Sequence, residues 1–462
     1  MKVRSIVSWA AAFACTFCSM DARADSVAGA PEKERAQELA SVPTPRKQVV
    51  SFDGREPEAP SFGESMLWVP RVVLSPVYVV TEFGIRRPVE GVANFFERYQ
   101  IRSAVWNVVT FGSNGRFGIV PSAFVDFGVN PSVGFNAWFD NAFVRNNDLR
   151  LHFGTWGADW ISVAFADNYK MRGGKDFTFA ASFTRRPDLP FWGTGARSLS
   201  DSRSRYGVLR WDVGPRLRIP IGAQGSFEAR ADLRVVDFRD ETCCDDPKLT
   251  EGAKRFGFDV PPAFFRGYGA LASSMELALD SRPRRPLPQH GLRFVGSVEQ
   301  GGDLRSGVQW IRSLASLGGY ADLGRNRVLG LKTTISKITS LRSSEEVPFT
   351  EWVTLGGSGP MRGFLYGRLV GLSAFVTELE YRWPIWTTLD GAMHVAFGNV
   401  FDRNFENMHP RLFRMSSGIG LRTASANADA TFEMLLGIGT ETFEDNLRVS
   451  SFRFVFGSTR GF

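Results

Sequence analysis

From about Arg116 onward the chain alternates. Phe227, Ala229, Ala231, Leu233 and Val235 interleave with Glu228, Arg230, Asp232 and Arg234. Met275, Leu277 and Leu279 interleave with Glu276, Ala278 and Asp280, and Phe375, Leu379, Tyr381 and Trp383 alternate with Glu378, Glu380 and Arg382. A period of two puts each set on its own side of a strand, so one face is apolar and the other polar. A soluble sandwich also alternates, but its apolar faces meet in a single core. Charged pairs on the polar face of strand after strand suit a hydrated lumen with lipid outside. Such runs centre near residues 121, 137, 152, 163, 180, 211, 232, 274, 295, 313, 333, 378, 395, 418, 435 and 453. The expected fold class is therefore all-β: a 16-stranded antiparallel transmembrane β-barrel with a short N-terminal helical segment. An even count returns both chain ends to one side of the membrane. The longest interval, residues 341 to 370, falls between strands eleven and twelve, and the next, about 240 to 266, carries Cys243 and Cys244. Both are expected outside the cell, because barrels of this kind keep their short turns on the periplasmic side.

Before the alternation the pattern is different. Residues 1–24 read as a signal peptide: Lys2 and Arg4, an apolar stretch from Ile6 to Phe17, then Ala22-Arg23-Ala24 for cleavage. Residues 25–70 are rich in Pro, Glu, Lys, Ala and Ser, as a disordered periplasmic arm would be. Residues 71–115 form an amphipathic helical segment leading to the barrel. Ser75-Pro76 is a candidate N-cap and first-turn pair, with Val77, Val80 and Phe83 at helical spacing, and Pro88 restarts the pattern through Val89, Val92, Ala93 and Phe96. This segment is expected to lie on the periplasmic membrane surface or to cover the barrel's lower mouth. Residues 116–462 form the barrel, with the interval 341–370 folded inward as a loop.

Composition narrows the function. The net charge of +7 falls to about +5 without the leader, and both signs are interspersed, which suits anionic lipid headgroups; no cluster suited to nucleic acid appears. Beyond the leader only Cys243 and Cys244 remain, adjacent to each other, so no disulfide framework is possible. His152, His290, His394 and His409 are too dispersed for a metal site, and no Gly-x-Ser-x-Gly nucleophile motif occurs. The glycine-rich stretch at 356–359 lacks the Lys-Ser/Thr of a phosphate loop. Neither an enzymatic function nor a cofactor is expected.

The chain closes on an alternating strand, Phe452, Phe454 and Phe456 sharing one parity with the final Phe462, and this resembles the assembly signal of bacterial outer-membrane proteins. Leu355-Gly-Gly-Ser-Gly-Pro-Met-Arg362-Gly363-Phe364 resembles the Arg-Gly-Phe/Tyr loop of the BamA/TamA-type assembly superfamily, also called the bacterial surface antigen family. Asp280-Ser-Arg282, with Pro286, Pro288 and Gly291, is similar to that family's Asp-x-Arg hairpin. Phe191-Trp-Gly-Thr-Gly195, followed by Tyr206, is similar to its aromatic-Gly-x-Gly segment. Glu380 to Pro384 and Gly418 to Arg422 fit its later strands. In this order and spacing the motifs span residues 116 to 462. The periplasmic POTRA modules usual in the family have no β-α-α-β-β counterpart in residues 25 to 100, so the resemblance is to a POTRA-less member.

The resemblance implies a Gram-negative outer-membrane protein with its N-terminus in the periplasm. It would assist insertion or translocation of protein or lipid through a weak seam between first and last strands. Partners would be outer-membrane lipids including lipopolysaccharide, client outer-membrane proteins and assembly-machinery subunits. The alternative is a passive channel whose lumen the loop occludes. In the family the loop arginine is held by carboxylates on strands twelve to fourteen, but the usual Asp of strand thirteen is here Ala396. The expectation is that Arg362 pairs instead with Glu378 or Glu380, with Glu433 a further inward candidate.

Overall fold

The computed structural model describes residues 68–87, 109–112, 115–241, 243–282, 290–324, 326–342, 346–386, 389–423 and 432–458. The leader, most of the N-terminal arm, the turn restarting at Pro88, the hairpin prolines and Phe462 lie outside the described residues.

Sixteen antiparallel strands close into a barrel, and a further two-residue strand, Thr110–Phe111, pairs with Gly118 and Phe117 of the first of them. They are β1 Phe117–Asp126, β2 Ser132–Asp140, β3 Asn147–Thr155, β4 Ile161–Lys170, β5 Asp176–Phe191, β6 Ser204–Ile221, β7 Gly225–Arg239 and β8 Tyr268–Asp280. The second half comprises β9 Gly291–Asp303, β10 Gln309–Asp322, β11 Val328–Ser340, β12 Ser373–Trp386, β13 Leu389–Phe401, β14 Arg414–Thr423, β15 Phe432–Thr442 and β16 Val449–Ser458. Each alternating run of the sequence falls inside one of these strands.

The parity is also as the pattern dictates. On β7, Leu233 is exposed while Arg234 is buried, and on β12 Leu379 is exposed while Glu378 is buried. Phe135, Phe179, Trp211, Leu331 and Phe397 continue the exposed apolar belt. Apolar side chains face outward because a bilayer surrounds the wall, and charges face inward, where they neutralise one another. No described helix is long and apolar enough to cross a membrane; the strands do the crossing.

The ladder is uneven. Every other neighbouring pair of strands is joined by at least eight residue pairs, but β16 meets β1 through only three: Val455 with Asp126, Phe456 with Val125, and Gly457 with Phe124. Gly457 has φ +135°, and a Cβ there would sit 2.1 Å from the Ala123 carbonyl oxygen. Only glycine lets the two backbones approach so closely.

Helical pieces accompany the strands. α1 (Trp68–Val73) and α2 (Ser75–Val79) run on into a π-helical stretch, Val80–Arg86. Ser75 is the first residue of α2 rather than its cap; Leu74 holds the cap position and no side chain caps it. The reason is that helix already precedes it from Trp68, so the chain enters Ser75 from a helical turn instead of from extended backbone. α3 (Leu249–Phe256) lies in the 240–267 loop, which also carries a disulfide between Cys243 and Cys244.

Candidate functional site

The long segment between β11 and β12 turns into the barrel. It contains a 3-10 turn, Phe349–Glu351, and a two-stranded hairpin in which Val353–Leu355 pairs with Leu369–Gly371. Met361, Phe364 and Leu369 are completely buried. A loop of this length inside a lumen must satisfy its backbone and charges there, and three groups of contacts do so.

The first is the loop tip. Arg362 Nη2 donates to Glu378 Oε1 at 2.5 Å and to Glu380 Oε2 at 2.6 Å, both inward-facing on β12. Lys332 also reaches Glu378 at 3.1 Å, and Arg382 reaches Glu380 at 2.9 Å. Ala396 lies directly opposite Glu378 on β13 and is fully buried. The inward position without a carboxylate is therefore adjacent to the strand that supplies two. Gly363 follows because nothing larger fits: an added Cβ would lie 2.0 Å from the Ile438 carbonyl oxygen on β15. Its N–H donates to Ser416 Oγ at 2.8 Å. Phe364 then lays its ring over Gly439, where a side chain would collide with it at 2.3 Å. Glu433 sits near the far end of the same β15 face, opposite Arg422 in register.

The second group holds the start of the loop to the inner faces of β7 to β10. The buried Glu351 carboxylate accepts from Arg234 at 2.8 Å, Arg312 at 2.9 Å and the Tyr268 hydroxyl at 2.7 Å. Glu299 shares both guanidiniums, at 2.8 Å from Arg234 and 3.2 Å from Arg312. Burial alone would raise the Glu351 pKa, but Arg234, Arg312 and Arg210 hold it below the ordinary carboxylate value.

The third group lies at the rim farthest from the chain termini. Arg368 donates to Ser198 Oγ at 2.9 Å and stacks over Trp192. Arg368 and Arg414 both pair with the buried Glu441. The Gly195 amide donates to the Val370 carbonyl at 2.8 Å. The aromatic-Gly-x-Gly segment after β5 is thus part of the loop's seat.

The seam joins this arrangement. Arg453 of β16 donates to both Asp126 oxygens of β1, at 2.9 and 2.7 Å, and its remaining Nη1 donates to the Gly357 and Arg362 carbonyls at 2.7 and 2.9 Å. Ser451 Oγ donates to the Gly363 carbonyl at 2.9 Å. The weakest edge of the barrel and the loop tip are held by the same guanidinium. Neither Arg453 nor Glu351 was singled out in the sequence. Arg453 could have been: it occupies the inward parity between Phe452 and Phe454. Glu351 could not, because it lies outside any periodic run.

The remaining motifs lie elsewhere. Arg282 grips Asp280 through two bonds of 2.7 Å at the end of β8 and stacks over Tyr320. Gly291, at φ +124°, leaves room for Ser281 and Arg282 in that turn. Phe452 and Phe456 project from the outer wall, and Phe454 meets Phe127 edge-on across the seam. Among the described residues, no group of three or more His, Cys, Asp or Glu could hold a metal.

Residues 141–459 match the model of the Omp85 superfamily domain. No curated protein matches the chain. Among solved structures it is similar to BamA from Haemophilus ducreyi lacking POTRA domains 1–3, at 15% identity and a TM-score of 0.53, over 74% of this chain and 70% of that one. CdiB from Acinetobacter baumannii is also similar, at 14% identity and a TM-score of 0.46, over 74% of this chain and 59% of its own.

Proposed function

The chain belongs to the Omp85 superfamily, and we propose that it is an outer-membrane insertion or translocation barrel whose seam opens sideways, the docked loop governing that opening. The observation that carries this reading is the three-pair junction between β16 and β1. A closed pore gains nothing from a weak edge, since each missing ladder pair leaves backbone groups to be satisfied in lipid at a cost of several kcal/mol. A barrel that must part there does. The function is read as non-enzymatic, in keeping with membership of this superfamily. In this reading the termini lie in the periplasm and the long loops outside. Outer-membrane lipids, including lipopolysaccharide, contact the apolar belt, and client proteins or assembly subunits meet the seam.

The runner-up, a passive channel, draws on the loop that fills the lumen. The two separate in one experiment. Val125 and Phe456 are paired across the seam, and directly opposed side chains are close enough for a disulfide. The Val125→Cys/Phe456→Cys protein, oxidised, should lose its ability to complement a depleted strain and to maintain the normal outer-membrane proteome, and dithiothreitol should restore both. Full complementation with the seam cross-linked would leave the channel as the reading.

A further inference from the structure

Three outward residues of β12 are not exposed. Tyr381, Trp383 and Ile385 share the parity of Leu379, which is 45% exposed, yet they are 5%, 0% and 3% exposed. The side chains covering them include Leu74 and Val77 of the N-terminal helical segment, together with neighbours on adjacent strands such as Leu329 and Met393. Polar contacts fix the same seat. Arg327, at the foot of β11, pairs with Glu82 at 2.5 Å, donates to the Tyr381 hydroxyl at 3.0 Å, and stacks on Tyr78 at 4.2 Å. Arg71 Nε donates to the Leu323 carbonyl at 3.0 Å. Because the residues covered belong to the outward set, the segment lies against the outside of the wall, at the end of the barrel that carries the termini.

Its other face is apolar and uncovered. Trp68, Val69, Val72, Val73, Val79, Val80 and Phe83 are each 47% exposed or more. Leu331 and Leu379, each two residues along the wall from Leu329 and Tyr381 in the covered cluster, are exposed and belong to the lipid-facing belt. The positive charge of Arg87 lies over the Phe83 ring at the segment's end.

We propose that residues 68–87 form a membrane-embedded strap. It is seated on the outer wall over the feet of β11 to β13, with its exposed face among the acyl chains of the leaflet nearest the termini and Arg87 at the phosphate level. A helix with apolar residues toward lipid and an arginine at its end sits at this boundary for the same reasons as other interfacial helices. The lumen is left to the loop. The occupant of the exposed face is phospholipid, as the continuity with the barrel's own lipid belt indicates.

The test uses the full chain, with its four cysteines replaced by serine, in phosphatidylethanolamine/phosphatidylglycerol vesicles. Single nitroxide labels are placed at Val72, Val80 and Leu74, with Leu379 as the lipid reference and Arg197 as the water reference. Labels at Val72 and Val80 should match Leu379, accessible to oxygen and protected from a nickel chelate. The label at Leu74 should be protected from both, and should gain oxygen accessibility on Arg327→Ala. Nickel accessibility at Val72 and Val80 equal to that at Arg197 would place the segment in water and overturn the proposal. Protection of both from oxygen as well as nickel would mean a protein partner or second copy covers the face, and would overturn it equally.

Discussion

Replacing Arg362 with alanine removes two charge-assisted hydrogen bonds, each worth about 1.5–3 kcal/mol. Removing one partner of a buried ion pair costs about 3–5 kcal/mol when it strands the other charge. Here neither carboxylate is stranded: Glu378 keeps Lys332 at 3.1 Å, and Glu380 keeps Arg382 at 2.9 Å. The cost should therefore fall at the low end, about 3 kcal/mol, or roughly a 100-fold shift in the equilibrium between docked and released loop. Hydrogen exchange reads this directly, because the Gly363 amide donates to Ser416 Oγ of the wall only while the loop is docked. Amides of residues 356–364 should exchange roughly 100-fold faster in Arg362→Ala, while those of β3 and β4 are unchanged. In a double-mutant cycle with Glu380→Gln the effects should be less than additive by about 1 kcal/mol or more. Loop exchange within threefold of wild type, or strictly additive effects, would show that the tip is held by packing of Gly363 and Phe364 and that the ion pair contributes nothing net.

Gly363→Val should release the tip although Glu378 and Glu380, the partners of Arg362, are intact, because its Cβ has no room beside the Ile438 carbonyl; the same exchange measurement checks it. Arg453→Ala should loosen seam and loop together, lowering the temperature at which the barrel unfolds on detergent gels and speeding exchange at residues 357–363; Asp126→Asn should affect the seam and leave the loop carbonyl contacts in place. Glu351 gives a pH dependence. Its folded pKa is depressed, so its contribution is complete above the unfolded value of about 4.3 and is lost as pH falls through the lower folded value. Protease resistance of the loop should thus hold to about pH 4.3 and fall below it, and Glu351→Gln should lessen that fall, Glu378, Glu380 and Glu441 still holding the loop; an unchanged acid profile in the variant would count against the pairing.

The strands were legible because a two-sided wall, lipid on one face and water on the other, leaves a period of two in every crossing. The same parity brings Arg362 toward Glu378 and Glu380 without any knowledge of distance. It could not show that Glu351 meets β7, β8 and β10, because a loop residue carries no phase and its partners lie more than 35 positions away. Nor could helical spacing at Val77, Val80 and Phe83 say which side of the wall the segment occupies. That was decided by Tyr381, Trp383 and Ile385, whose outward parity and burial are only reconciled by something outside.

Crossing a bilayer takes about 9–11 tilted residues, and β1 to β4 have 9 or 10. β5, β6 and β7 have 16, 18 and 15. β4 ends its pairing with β5 at Arg185, so the last six residues of β5 stand clear of it. At roughly 3.3 Å per residue that is about 20 Å of additional wall, packed inside by Phe191, Tyr206, Phe238 and Phe349. The barrel wall is thus tall along β5 to β7 and low along β1 to β4, beside the seam. A passenger leaving sideways through the low side would cross the least wall, while anything approaching the rim farthest from the termini would touch the tall side first.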